Sequence, residues 1–213
     1  MASFSLHGIA VSQGIAIGRA HLLAPAALDV KHYLIADEQV EAEVERLKSA
    51  IKTVRHELNT IRSELPKDAP AELGAFIDVH ALILSDPMLQ EVPQNIIRNR
   101  YYNAEWALVT QIDELSAQFD EIEDPYLRER KADIQQVGER ILKVLTGSAI
   151  HLPPADGDAA PNIIVVAHDI SPADMLQFRD GAFAGFVTDL GGPNSHTAIV
   201  ARSLDIPAAV GMH

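Results

Sequence analysis

Eight apolar residues, Val40, Val44, Leu47, Ile51, Val54, Leu58, Ile61 and Leu65, follow one another at alternating steps of four and three. That spacing keeps them on one face of an α-helix. Asp37 stands where an N-cap is needed, and Pro66 stops the helix from continuing. At 1.5 Å per residue such a helix is about 40 Å long. A seam this regular also fits a two-chain coiled coil. More helical segments follow at once, which favours packing within the chain.

Those segments are "APAELGAFIDVHALILSD" from Ala69, "DPMLQEVPQNIIRNR" from Asp86, "NAEWALVTQIDELSAQFDEI" from Asn103 and "DPYLRERKADIQQVGERILKVLTG" from Asp124. Pro70, Pro87 and Pro125 occupy first-turn positions, and Gly147 is a natural stop. Trp106, Val109, Ile112, Leu115, Phe119 and Ile122 form one stripe; Ile134, Val137, Ile141, Leu142 and Leu145 form another. Short connections make antiparallel neighbours, so residues 37–146 predict an all-α helical bundle.

The flanks differ. Residues 4–23 carry turn signals at Gly8, Gly14 and Gly18 among Ile, Ala and Val, the pattern of short strands. After the polar loop "LPPADGDAAP", the runs "NIIVVAHD" and "AGFVTDL" suit buried strands, with "SPADMLQFR" between them as a short helix capped by Ser171. "TAIVARSL" predicts another helix and "IPAAVG" another strand. Strands at both ends of a bundle predict a discontinuous β/α domain, residues 1–36 plus 147–213, carrying the helical domain as an insertion. The fold class is α+β or α/β.

Of the 30 acidic and 17 basic residues, 22 and 13 fall in 37–146, so most of the net charge of −13 lies on the bundle. Such acidity argues against nucleic acid and anionic membrane and suits a basic protein partner. No apolar run reaches the roughly 18 residues of a membrane span, and the N-terminus lacks the basic-then-apolar order of a secretion signal. The absence of cysteine rules out disulfides and thiolate metal sites and fits a reducing cytoplasm.

The chemistry concentrates in "GGPNSHTAIVARSLDIPAAVG", residues 191–211. Gly191 and Gly192 permit a tight turn, Asn194 or Ser195 caps the next helix, and His196 falls in its first turn, flanked by Ser195 and Thr197. Amide N–H groups and the positive dipole end favour an anion there and disfavour imidazolium, leaving one ring nitrogen nucleophilic. That suits a histidine accepting a phosphoryl group. Geometry alone leaves other readings open. The residue could be a half-exposed polar side chain or a cap. Zinc held by His151, His168 and His196 has no compact ligand spacing, and "PNSHT" is not the elbow of a serine nucleophile.

The same stretch resembles the phosphohistidine signature shared by enzyme I of the bacterial phosphoenolpyruvate:sugar phosphotransferase system, pyruvate phosphate dikinase and phosphoenolpyruvate synthase. "GIAVSQGIAIGRAHLL" followed by a helical insertion is similar to enzyme I rather than to the dikinases, which place an ATP-grasp region ahead of the histidine domain. A nitrogen-system enzyme I is expected to carry a sensory domain ahead of this region, and with the stretch starting at position 1 the expectation is that none precedes it. The resemblance covers the whole chain as an N-terminal half, with a swivelling phosphohistidine domain. It implies a missing remainder: further strands, a linker, and a barrel that binds phosphoenolpyruvate and magnesium and dimerises. This portion is then expected to be monomeric, cytoplasmic and without a metal or cofactor of its own.

Carried onto this chain, the resemblance implies that His196 takes phosphate on Nε2 and donates it to a histidine of HPr. "DISPAD" matches a stretch whose hydroxyl holds the active histidine, here Ser171 where threonine is common. Arg202 matches the motif arginine, supporting the phosphate or the loop. In the bundle, "FIDVHALILSDPML" and "DPYLRERKAD" resemble the HPr-docking helices, which implicates Glu72, Asp78, His80, Leu82, Leu84, Asp86, Leu127 and Arg130. The competing functions are a docking module without catalysis and the swivelling domain of a dikinase-like enzyme.

Overall fold

The computed structural model describes residues 5–23, 30–65, 71–122, 125–147, 162–168, 170, 183–193, 195–203 and 205–212. The apolar stripe does form one helix, α1 (Val40–Glu64), and Val44, Leu47, Val54 and Leu58 along it are almost wholly buried. Its start differs from expectation. Asp37 lies inside a 3₁₀ turn, Asp37–Gln39, and Gln39 Oε1 reaches back to accept from the Ala36 amide at 3.0 Å. A glutamine side chain thus satisfies the amide ahead of the turn, and no aspartate cap is needed.

Four helices follow: α2 (Ala71–Leu84), α3 (Pro87–Arg100), α4 (Ala104–Asp120) and α5 (Pro125–Thr146). Helix α4 packs along α5 and α3, and α1 packs on α3 and α5. The close approach of α4 to α5 depends on Gly138, where any Cβ would run into Ile112 Cδ1. On α4 the buried face is not the predicted stripe. Ala104, Ala107, Leu108 and Gln111 are inside with Ile112 and Leu115, while Trp106, Val109 and Phe119 are half-buried.

The reason is a polar node at the head of α4. Arg46 donates to both carboxylate oxygens of Glu105 (2.8 and 2.5 Å), to Glu43 (2.6 and 3.0 Å) and to the Leu145 carbonyl (3.2 Å). Asn103 Nδ2 donates to Glu105 and to the Lys31 carbonyl, and Glu43 accepts from the Ala104 amide. Beside this node Tyr102 stacks on Trp106 with centroids 3.5 Å apart, and His32 stacks on Trp106 at 5.2 Å.

A five-stranded sheet makes the second region, in the order β1 (Ile9–Ala10), β5 (Ala208–Val210), β4 (Phe183–Thr188), β3 (Ile163–Ala167), β2 (Arg19–Leu23). The pairing of β1 with β5 is antiparallel and the rest are parallel, with Leu23 opposite Ala167 and Ala167 opposite Thr188. Helix α6 (His196–Ser203) buries Ala198, Val200 and Ala201 in a core with Val165, Phe186 and Val210.

The chain divides into two compact units: Met1–Ala26 with Leu65–Gly74 and Ile150–His213, and Ala27–Glu64 with Ala75–Ala149. Three segments, 27–36, 65–74 and 147–149, thus fall on the other side from the expected division into 1–36 plus 147–213 and 37–146. Residues 27–36 join the helices because Asn103 bonds to the backbone of Lys31 and Tyr33. Residues 65–74 join the sheet because Leu65 and Leu73 pack into its core.

Candidate functional site

Parallel strands deliver their C-terminal ends to one edge, where open α/β sheets place ligands. Here β3 ends at Ala167 and β4 at Thr188, directly opposite each other. Beyond them the backbones stay laced: Asp189 N donates to Ala167 O at 3.2 Å, Leu190 N to His168 O at 3.0 Å, and Met212 N to Thr188 O at 3.1 Å. Buried Thr188 donates its hydroxyl to Leu190 O at 2.7 Å, and His168 Nδ1 lies 3.2 Å from Asp189 Oδ2 on the exposed side.

The turn then reverses at Gly191, with φ +109°, where a Cβ would press on Ser195 Oγ and Val210 Cβ at 3.3 Å each. Ser195 is the N-cap: its Oγ accepts from the Ala198 amide at 3.2 Å, and its carbonyl takes the first helical bond from Ile199. His196 is the first residue of α6. Its backbone therefore sits where amide N–H groups lack helical acceptors and the dipole is positive.

The neighbours have separable duties. Thr197 is buried, and its hydroxyl donates to the Ile170 carbonyl at 3.0 Å, so it pins the strand extension. Arg202 donates to Pro193 O at 2.9 Å and Val11 O at 3.3 Å, which ties the turn to the β1 side of the sheet. Ser171, Asn194 and His151, and the side chain of His196, lie outside the described residues. Among the described residues no three His, Asp or Glu side chains gather as a metal site.

In the helical unit, Asp78 and Leu82 are exposed on α2, and Asp86, also exposed, caps α3 by accepting from the Met88 amide at 2.8 Å. Asp78 is held by Arg62, at 2.9 and 3.3 Å. Two expected surface contacts prove internal. Leu84, the last residue of α2, is fully enclosed. His80 is 3 % exposed, its ring 4.0 Å from that of Phe76. Its Nε2 lies 3.7 Å from Asp133 Oδ1 without a hydrogen-bond partner, while Arg130 reaches the other Asp133 oxygen at 3.6 Å. The side chains of Glu72 and Leu127 lie outside the described residues. Sequence reasoning passed over Arg62, exposed Met88 and Asp189 as the partner of His168; the only signal for Arg62 was its place off the apolar stripe, beside Ile61.

The family described as PEP-utilising enzyme, N-terminal, matches residues 7–130, and the mobile domain of PEP-utilising enzymes matches residues 159–213. The chain belongs to the PEP-utilising enzymes. It is 65 % identical to a phosphoenolpyruvate-protein phosphotransferase of Cupriavidus necator, over 98 % of this chain and 37 % of that protein. It is 42 % identical to the one of Listeria innocua, over 97 % and 35 %. The chain thus spans about a third of the length of these curated relatives, in their N-terminal part. Two solved structures share the architecture. One, an NMR solution structure of Enzyme I, has a TM-score of 0.74 at 33 % identity, covering 97 % of this chain and 82 % of that one. The other, an N-terminal domain of Enzyme 1 - Nitrogen, has a TM-score of 0.71 at 26 % identity, covering 98 % and 84 %.

Proposed function

We propose that this chain is the phosphoryl-carrying portion of a phosphoenolpyruvate-protein phosphotransferase, with His196 as the relay and HPr as the acceptor. The observation that carries this reading is the helix start: a histidine at the first position of α6, behind a Ser195 cap and a Gly191 turn, at the C-terminal edge of parallel strands. The ring nitrogen attacks phosphorus of phosphoenolpyruvate; an N–P bond forms, the P–O bond to the enol oxygen breaks, and the enolate takes a proton to become pyruvate. An imidazole of HPr then attacks the same phosphorus, and the N–P bond to His196 breaks. The first-turn amides stabilise the charge on the transferring group, and positioning supplies much of the rate. Arg202 and Thr197 hold the turn and strand extension in register, and Ser171 orients the imidazole.

Phosphoenolpyruvate, magnesium and the dimer contact belong to the part of the relatives that this chain does not span. Magnesium bound there would supply charge neutralisation at the phosphate. The whole enzyme acts in the cytoplasm, in sugar uptake.

The test is incubation of the chain with phospho-HPr followed by mass-spectrometric mapping. Label on His196, lost in His196→Ala while HPr binding persists, is expected. Binding without label favours the docking module. Absence of HPr binding favours a carrier acting on a small acceptor.

A further inference from the structure

Asp78 and Leu82 stand four residues apart on α2 and share one side of it, and Asp86 follows in the turn before α3. The side chain of Asp78 is 60 % exposed and Leu82 is 72 % exposed, with Met88 beyond at 41 %. Acidic and apolar groups mixed in this way fit a partner face that is basic and partly apolar. The two carboxylates differ in one respect. Asp86 is held by an amide of its own turn, whereas Asp78 meets a cation delivered by another helix. Arg62, in the last turn of α1, donates Nε to Oδ1 at 2.9 Å and Nη2 to Oδ2 at 3.3 Å, so each oxygen of Asp78 receives a donor. A lysine or arginine of an incoming partner finds one donor already on each of those oxygens, and it meets the charge of Arg62 on arrival.

We propose that Arg62 is an intramolecular competitor for Asp78, a clasp that a basic partner opens on docking, and that Arg62 thereby sets the affinity of this surface. The proposal rests on the docking reading given above. The pair is exposed on both sides, 48 % and 60 %, and such pairs add little to stability.

The experiment is calorimetric titration of HPr into the chain, comparing Arg62→Gln, Asp78→Asn and the double variant at low and high salt. Arg62→Gln is expected to tighten binding by about two- to fivefold at low ionic strength, with the gain fading as salt screens it. Asp78→Asn weakens binding, and in that background Arg62→Gln gives no gain. Unchanged or weaker binding by Arg62→Gln overturns the clasp, as does a gain that persists without Asp78. If the unsubstituted chain binds no HPr, the docking reading itself fails and takes the clasp with it; binding by the unsubstituted chain confines any failure to Arg62.

Discussion

Thr197 stands beside the histidine in sequence, yet its hydroxyl faces inward to a backbone carbonyl at the end of β3. Thr197→Val keeps the shape and removes the donor to the Ile170 carbonyl. The expected cost is about 1–2 kcal/mol by urea unfolding, with slower phosphate exchange because the strand extension loosens. Gly191→Ala acts differently: at φ +109° an alanine is strained and its Cβ crowds Ser195 and Val210. Exchange is expected to fall more than stability, since the strain sits in the turn that presents α6. Ser195 as cap and His196 at the helix start were legible, because capping follows from residue type and a nearby apolar period. The burial of Leu84 and His80 was not. Their positions on α2 read equally well as surface until the partner helices are known.

Among the helices, α1 was readable because its stripe is purely aliphatic, whereas α4 was misread because its inner face is small and polar. Glu105, Gln111 and Ser116 are buried there, and no apolar period announces them. The Arg46 node explains how such a face is tolerated. Removing the cation with Arg46→Met leaves the Glu43 and Glu105 carboxylates nearly buried without their counter-charge, though still bonded to the Ala104 amide and Asn103 respectively; the expected loss is about 2–4 kcal/mol, moderated by the residual solvent contact of Arg46. Burial pushes the Glu105 carboxyl up, but hydrogen bonds from Arg46, its own backbone and Asn103, with the charge of Arg46, hold it below its ordinary 4.5. The node's stabilisation is therefore fully present above that value and is lost as pH falls below it, through the depressed folded value. Glu105→Gln should flatten that part of the stability-versus-pH curve, measured by denaturant titrations on the acid side.

For the molecule as a whole, the charge of −13 and its concentration on the helical segment predict encounter with a basic protein that slows as salt rises. Stopped-flow association with HPr should drop by about tenfold or more between about 0.05 and 0.5 M salt, while dissociation changes less. Among the described residues no helix is long and apolar enough to cross a membrane. The change between strand-like and helical periods was legible along the chain. The edges were not, because residues 27–36 and 65–74 are assigned by contacts distant in sequence. One stacked ring has an optical consequence. Trp106, sandwiched with Tyr102 and His32, is the chain's sole indole, and it belongs to the helical unit. Its emission excited at the red edge of absorption is a private reporter of that unit, blind to melting of the sheet; a fluorescence midpoint that departs from a circular-dichroism midpoint would reveal two units failing at different temperatures.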